Sequence, residues 1–205
     1  MRAIDVSVVV PLYNEAESLP ELVEWITRVA RENDLECEII MVDDGSTDGS
    51  VAIVERIMGE YKQYNIRLVR QANSGVSVAR NRGIAESTGD YVDLMDADDE
   101  WLSGYIAEVS RLMTYYPDCT LYSTAFDIIN NNTRHRAYTP DKEGIVDPAA
   151  EALKGRFTAI PSTATVRRTA LEEIGGFPEG MRIGEDQWLW VRMVQQGAKF
   201  CFSPM

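Results

Sequence analysis

The first strand-like segment of the chain is "VSVVVP", residues 6–11, and it decides the fold class. It is short, nearly all β-branched and not alternating in polarity, which is typical of a strand buried on both faces of a sheet. Similar segments follow at "CEIIMVDD" (37–44), "IRLVR" (66–70) and "YVDLM" (91–95). Strands of this kind predict an α/β protein with a mostly parallel sheet that helices cover on both sides.

Helical segments separate these strands. After the first strand, apolar residues repeat at helical spacing, and Ser18 with Glu21 three residues later predicts a capping box at the start of this helix. Residues 51–61 and 76–86 predict the next two helices. This alternation of strand and helix favours one parallel sheet over separate small domains.

The second half of the chain is less regular. Residues 120–129 predict one strand, residues 130–147 a polar irregular loop, and residues 185–196 a helix before a final strand at "AKFCFS" (198–203). There is no internal repeat and no low-complexity linker. We therefore expect a single domain over residues 1–205, with a Rossmann-like first half and a mixed second half.

Composition excludes several classes of protein. The chain has 205 residues, of which 45% are hydrophobic, and a net charge of −13 without a long Lys/Arg run, which argues against a nucleic-acid-binding protein. Three widely spaced cysteines without a C-x-x-C pair predict free thiols in a reducing, cytoplasmic setting. No signal peptide and no apolar run of membrane-spanning length occurs in the sequence. Peripheral association with the inner face of a membrane stays open.

Acidic residues follow three of the predicted strands, at residues 11–15, 43–44 and 96–99. In an open parallel sheet, ligands bind at the carboxyl ends of the strands. Clustered carboxylates repel unless a cation compensates them, and Mg²⁺ or Mn²⁺ takes one or two carboxylates together with water and phosphate oxygens. A D-x-D pattern alone is more often a solvated turn, but its occurrence beside two other acidic strand ends predicts a metal site that holds a phosphate.

Four segments in order then carry a family resemblance. They are "VSVVVPLYNEAESL" (6–19), "IIMVDDGSTDGS" (39–50), "NSGVSVARNRGIAESTGDYVDLMDADD" (73–99) and "IGGFPEGMRIGEDQWLWVRM" (174–193). Together they resemble the inverting glycosyltransferases of family 2, which have the GT-A fold. The resemblance implies an enzyme that moves a sugar from a nucleotide-diphospho-sugar, commonly UDP-linked, to a glycan or lipid-linked acceptor. It also implies Mn²⁺ or Mg²⁺ at the D-x-D motif and a place in cell-surface polysaccharide biosynthesis.

The resemblance divides the chain into a nucleotide-binding half, about residues 1–100, and an acceptor and catalytic-base half, about residues 101–205. It implies that Pro11, Tyr13 and Glu15 line the nucleoside pocket, where Tyr13 offers a flat face to the base. Asp44 would hydrogen-bond the base, with Asp43 as the less favoured of the two acids.

The resemblance also assigns the residues around the diphosphate. Gly75 and Arg80 would lie near the nucleotide, with Arg80 available to a phosphate or to the D-x-D acids. Asp96 would face the ribose or the sugar. Asp98, together with Asp99, would bind the metal.

Asp186 is the implied catalytic base, at the start of the helix predicted over residues 185–196. Inversion by direct displacement needs one base for the acceptor hydroxyl, and a helix N-terminus favours an ionised carboxylate. Glu185 and Trp188 are expected at the same site, with Trp188 available to stack on an acceptor sugar. Because Trp188 and Trp190 are two residues apart on a helix, they face different ways, and we expect one of them in the core.

Two other functions stay open on the sequence. One is a relative that binds nucleotide-sugars without transferring them. The other is a sugar-phosphate nucleotidyltransferase, which would need a glycine-rich basic loop where this chain has "PLYNEAESL". The chain lacks the Q-x-x-R-W motif of membrane-bound polymerases, which disfavours a processive synthase, and truncation at the C-terminus is left open.

Overall fold

The structure of the protein is a computed structural model that describes residues 6–130 and 133–205. The strands in these ranges are β1 (Val6–Leu12), β2 (Cys37–Asp43), β3 (Asn65–Arg70), β4 (Tyr91–Leu94), β5 (Leu121–Thr124), β6 (Asp127–Asn130), β7 (Thr133–Arg136), β8 (Gly144–Val146), β9 (Ala164–Arg167) and β10 (Phe200–Ser203). The helices are α1 (Leu19–Glu32), α2 (Ser50–Glu60), α3 (Val76–Glu86), α4 (Tyr105–Tyr115), α5 (Pro148–Ala152), α6 (Arg168–Ile174) and α7 (Glu185–Gln195).

Eight of the strands form one sheet in the order β3-β2-β1-β4-β9-β5-β10-β8. Strands β1 to β4 pair in parallel, and β5 pairs in parallel with β10. Strand β9 is inserted antiparallel between β4 and β5, and β8 closes the far edge antiparallel to β10. The predicted α/β class with a mostly parallel sheet and a mixed second half is therefore confirmed, while β6 and β7 form a separate hairpin.

Helices cover both faces of this sheet, and β1 contributes to both cores. Val8 and Val10 pack with helices α1, α2 and α4 on one face, whereas Val9 packs with α3, α6 and α7 on the other. Helix α3 approaches β1 especially closely, because a Cβ at Gly83 would lie 2.2 Å from Val9 Cγ1. Burial on both faces explains why β1 is apolar throughout.

Three local predictions differ from the structure. Ser18 is the N-cap of α1 but makes no capping bond, since its hydroxyl instead donates to the backbone oxygen and carboxylate of Glu15, so the predicted capping box is wrong. The strand predicted over residues 120–129 is two strands, because β5 lies buried in the main sheet and β6 turns out into the hairpin. The loop predicted over residues 130–147 contains β7 and β8, and its residues 131–132 lie outside the described part of the chain.

Within the described ranges, no helix combines the length and the apolar character needed to cross a bilayer.

Candidate active site

A cleft of about 240 Å³ opens where β1, β2 and β4 end and α3 begins. The residues that line it are Pro11, Leu12, Tyr13, Glu15, Asp44, Val76, Ala79, Arg80, Asp96, Ala97 and Asp98. The site residues predicted from the sequence that lie in it are Pro11, Tyr13, Glu15, Asp44, Arg80, Asp96 and Asp98. They come together because parallel neighbouring strands end at the same edge of the sheet.

The loop after β1 presents Tyr13 to solvent, with 48% of the residue exposed. This loop is fastened to the loop after β2 by side-chain acceptors. The backbone N–H of Asn14 donates to Ser46 Oγ at 2.9 Å, and that of Glu15 donates to Ser50 Oγ at 2.9 Å. Asn14 itself has a φ of 60°, a left-handed conformation that asparagine tolerates. Tyr13 is thus an exposed aromatic residue in a loop whose backbone is held by hydrogen bonds.

Asp44 is almost buried, at 5% exposure, and its carboxylate accepts three hydrogen bonds from the segment before α3. Oδ1 accepts from Ser74 N and from Gln71 Nε2, both at 2.8 Å, and Oδ2 accepts from Gly75 N at 2.8 Å. Gly75 is the N-cap of α3 at a φ of 93°, a conformation that favours glycine. Gly75 does not line the cleft itself, but its backbone N–H helps to hold Asp44 in place.

Arg80 is 3% exposed and bridges the two halves of the site. One guanidinium nitrogen lies 2.7 Å from Asp96 Oδ1 and the other 2.9 Å from Glu185 Oε1, while the guanidinium carbon lies 5.1 Å from the centre of the Phe177 ring. Of the partners that the sequence left open for Arg80, the structure supplies Asp96. A buried cation between two carboxylates compensates charges that would otherwise repel, and it ties the D-x-D segment to the first residue of α7.

The three acids after β4 have different surroundings. The backbone N–H of Asp96 donates to Ser162 Oγ at 3.1 Å, and the side chain of Asp96 is held by Arg80. Asp98 is exposed and, in the part of the chain that the structure describes, has no hydrogen bond or ion pair. Asp99 lies outside the cleft, and desolvation raises its pKa although a hydrogen bond from Ser162 opposes that shift.

These acids can be tested as ligands of Mn²⁺ or Mg²⁺. Among the described residues, no group of three or more His, Cys, Asp or Glu side chains is placed to hold an ion by itself. Mg²⁺ commonly takes only one or two protein carboxylates, with water and substrate phosphates filling its other positions. Asp98, uncommitted and exposed in the cleft, fits that role. Asp99 fits it less well, because its carboxylate is partly desolvated and hydrogen-bonded to Ser162.

Helix α7 carries the second group of predicted residues, outside the cleft lining. Its N-cap Gly184 has a φ of 78°, and Glu185 reaches Arg80 from the first turn. The next residue, Asp186, is half-buried, and its Oδ1 accepts from Gln187 N at 2.8 Å. No cation pairs with Asp186 in the described residues, so Asp186 is the freer of the two adjacent acids.

The two tryptophans of α7 differ as expected. Trp190 is 1% exposed and packs edge-on against Phe177 and Phe200. Trp188 is only partly buried, and the guanidinium of Arg192 lies 4.6 Å from its ring centre. The prediction that one of the pair belongs to the core is confirmed by Trp190, whereas Trp188 is a partly buried residue at the edge of the same core.

Some contributors to the site escaped the sequence analysis. Val76 lies four residues before Arg80 and three before Ala79 on α3, so helical spacing from Val76 could have identified this face of the helix. Gln71 and Ser162 are different, because they hold acids that lie 27 and 66 residues away along the chain. No local pattern marks such partners.

Comparison with known proteins agrees with this architecture. The sequence model of "Glycosyl transferase family 2" matches residues 7–175. Over 207 aligned residues, the chain is 31% identical to the amylovoran biosynthesis glycosyltransferase AmsB from Erwinia amylovora, and the alignment covers 98% of this chain and 67% of AmsB. Six other curated relatives are longer, and this chain spans only 26% to 42% of their lengths.

Two solved structures share the fold. Staphylococcus aureus TarS 1–349 in complex with UDP-GlcNAc has a TM-score of 0.80 at 20% identity, covering 97% of this chain and 55% of that one. The mannosyltransferase PcManGT from Pyrobaculum calidifontis, in complex with GDP-Man and Mn²⁺, has a TM-score of 0.73 at 22% identity, covering 98% and 57% of the two chains. The predicted GT-A fold is thereby confirmed. Because the family model covers most of the sequence, the chain belongs to glycosyl transferase family 2.

Proposed function

We propose that this protein transfers a sugar, with inversion, from a UDP-linked donor to a hydroxyl of a glycan or lipid-linked acceptor, with Mn²⁺ or Mg²⁺ bound. The observation that carries the proposal is the arrangement of one cleft. An exposed tyrosine ring, a nearly buried acceptor carboxylate and an uncommitted aspartate line it, and Arg80 connects it to the acidic start of α7. This arrangement suits a donor that binds with its nucleobase at the tyrosine and its diphosphate at the aspartate, with the acceptor hydroxyl beyond them toward α7.

The nucleotide end of the donor would lie between β1 and β2. Tyr13 offers an aromatic face on which a base can stack, which is worth about 1–3 kcal/mol in other proteins. Asp44 offers a carboxylate oxygen to an N–H group of the base. Pro11 and Glu15 complete this wall of the cleft.

The diphosphate would lie toward β4, where Asp98 would hold the metal ion. A bound Mn²⁺ or Mg²⁺ supplies positive charge to a departing diphosphate, so no separate acid is required. Asp96 forms an ion pair with Arg80, and its carboxylate can still accept a hydrogen bond from the ribose or the sugar. Arg80 itself is committed to two carboxylates, so we assign it to positioning rather than to direct phosphate binding.

Asp186 would act as the base. The acceptor oxygen attacks the anomeric carbon, the bond from that carbon to the phosphate oxygen breaks, and its electron pair leaves with the diphosphate. The acceptor proton goes to the Asp186 carboxylate. Glu185 is a poorer candidate because the Arg80 guanidinium holds its carboxylate at 2.9 Å. Trp188, which is only partly buried, would contact an acceptor sugar.

A role in cell-surface polysaccharide biosynthesis is part of the proposal, and the likeness to AmsB, which is named for amylovoran biosynthesis, supports it. The proposal also includes a cytoplasmic location, where the protein would meet its acceptor at the inner face of the membrane. The three cysteines, all free thiols, agree with a reducing compartment.

The donor site can be tested by calorimetric titration of UDP with and without Mn²⁺. We expect Mn²⁺-dependent binding to the wild type that Asp98→Ala abolishes. The matched control is Glu100→Ala, which removes an exposed acid two residues away that does not line the cleft. Wild type that binds no nucleoside diphosphate in the presence of metal would contradict the proposal.

The base can be tested by turnover of UDP-sugars, with water or added saccharides as acceptor. Asp186→Asn is expected to leave UDP affinity unchanged and to lower kcat by about 10²–10⁴, the usual contribution of a positioned base. Glu179→Gln, an exposed acid that precedes the helix, serves as the control. Tight UDP binding by a wild type that turns over no donor would favour a nucleotide-sugar-binding protein without transfer activity.

A further inference from the structure

The hydrogen bonds of Asp44 limit what else this residue can bind. An ionised carboxylate offers about four acceptor positions, two on each oxygen. Gln71 Nε2 and Ser74 N, both at 2.8 Å, fill the two positions of Oδ1. Gly75 N fills one position of Oδ2 at 2.8 Å. One acceptor position, on Oδ2, is therefore left for a ligand in the cleft.

Nucleobases differ in how many donors they present side by side. Uracil and thymine present a single imide N–H between two carbonyl oxygens. Guanine presents two adjacent donors, N1–H and the exocyclic amino group, which pair with a carboxylate through both of its oxygens. Cytosine presents an amino group next to an acceptor nitrogen that a carboxylate oxygen repels. A carboxylate with one free position on one oxygen is thus matched to uracil or thymine.

We propose that Gln71 is the residue that sets the base specificity of this cleft. By donating to Asp44 Oδ1, the Gln71 amide reduces Asp44 to a single acceptor and selects a nucleoside diphosphate whose base carries one imide N–H. This inference rests on the proposed function, in which Asp44 contacts the base of the donor. Gln71 acts through Asp44, so it is a positioning residue and does not touch the substrate.

Gln71 is the only one of the three donors that a change of side chain can remove. Ser74 and Gly75 donate through the backbone, so their bonds to Asp44 persist with other side chains. The backbone N–H of Gln71 donates separately to Asp43 O at 2.9 Å, which anchors the segment whatever side chain follows. The orientation of the Gln71 amide is also determined, because only its nitrogen can face a carboxylate.

The test is a comparison of UDP and GDP affinities, by calorimetry with Mn²⁺, for wild type and Gln71→Met. Gln71 is half-buried, and methionine is similar to glutamine in length and bulk but has no N–H donor. In this variant Asp44 Oδ1 therefore regains one acceptor position. We expect the wild type to prefer UDP and Gln71→Met to shift the GDP-to-UDP affinity ratio toward GDP by about tenfold, the value of a hydrogen bond to a charged group. UDP affinity should stay within about threefold of the wild type, because the bond to the imide N–H is untouched.

Ser74→Ala is the matched control. It removes the bond from Ser74 Oγ to Ala72 O, at 2.8 Å in the same segment, and leaves the backbone donor to Asp44 in place. A general loosening of the segment would affect both variants alike and would weaken both nucleotides, whereas the inference predicts a changed ratio in Gln71→Met alone. Thermal unfolding of each variant verifies that it is folded.

The outcomes separate this inference from the proposed function. A wild type that prefers UDP, with a ratio that Gln71→Met leaves unchanged, overturns the role of Gln71 while the nucleotide site stands. A wild type that prefers GDP also overturns it, again with the nucleotide site intact. Absence of any nucleotide binding to the wild type refutes the proposed function, and the inference fails with it.

Discussion

Two buried carboxylates lie on the two strands that flank β1, and their pKa values are shifted in opposite directions. Glu38 on β2 is 1% exposed and Asp93 on β4 is 0% exposed. Burial alone would raise the pKa of Glu38, but hydrogen bonds from Ser7, Thr88 and Arg67 outweigh it, and the net pKa is lowered. Burial raises the pKa of Asp93 to about 7, since only the hydroxyls of Thr165 and Tyr105 oppose it.

The difference lies in the donors around each acid. Glu38 has a cation, because Arg67 donates to its Oε2 at 2.9 Å, and Thr88 donates through both backbone and side chain. Asp93 Oδ2 has no partner among the described residues. Burial therefore does not decide whether a carboxylate in this sheet is ionised; the number and charge of its donors do.

The largest effect is expected at Asp93. Because its folded pKa is raised from 3.8 to about 7, the folded protein holds the proton more tightly, and the stability from this group is lost as pH rises from about 4 to about 7. The loss is at most about 4 kcal/mol. Asp93→Asn stays neutral and should remove this loss, which urea unfolding across that pH range will measure.

Glu38→Gln is the matched comparison. A lowered folded pKa stabilises the protein above the ordinary pKa of the group and ceases to do so as pH falls, so this variant should flatten the acid side of the curve instead. Identical pH profiles for wild type and Asp93→Asn would show that Asp93 is ionised in the folded protein, contrary to the comparison.

Arg80→Met should rank second. It leaves Asp96 and Glu185, with side chains 30% and 14% exposed, without their cation. We expect a loss of about 3 kcal/mol in the free energy of unfolding, the lower end of the range for a broken buried pair, because Asp96 is partly hydrated. Urea unfolding at pH 7 measures it.

Arg82→Met is the control for Arg80, on the same helix. Arg82 pairs with Glu86 at 2.9 Å on the surface, with side chains 53% and 32% exposed, so its loss should cost less than about 1 kcal/mol. Equal losses for the two variants would mean that burial of the Arg80 cluster contributes nothing.

Arg67→Met should have the smallest effect of the three, about 2 kcal/mol, the value of a hydrogen bond to a charged group. Removing the cation from Glu38 should also raise the pKa of Glu38 and so make it resemble Asp93. Urea unfolding at pH 5 and pH 8 measures both. The control Arg56→Met removes an exposed pair with Glu60 and should leave the pH dependence of the free energy of unfolding as it is in the wild type. If Arg67→Met also leaves that pH dependence unchanged, the role of the cation is refuted.

Much of the first half of the molecule follows from local sequence. Helix α3 begins and ends where predicted, at Val76 and Glu86, and β1 to β4 lie within two residues of their predicted bounds. Local pattern succeeds there because each buried strand is apolar on both faces and each turn carries its own glycine or aspartate. Local pattern does not predict that residues 120–129 contribute strands to two different sheets. It also does not reveal the short helix α6, which follows β9 without a break.

The class of the sheet, the acids at the strand ends and the order of the family motifs can be read from the amino-acid sequence, because they depend on residues close together in the chain. Long-range packing decides that β9 lies between β4 and β5, that Arg80 joins Asp96 to Glu185, which is 105 residues from Arg80, and that Gln71 holds Asp44. It also decides that, among the described residues, Glu38 has a cation beside it and Asp93 has none. The physical reason is that a side chain's charge and partners depend on every element packed around it, and most of those elements are distant in sequence.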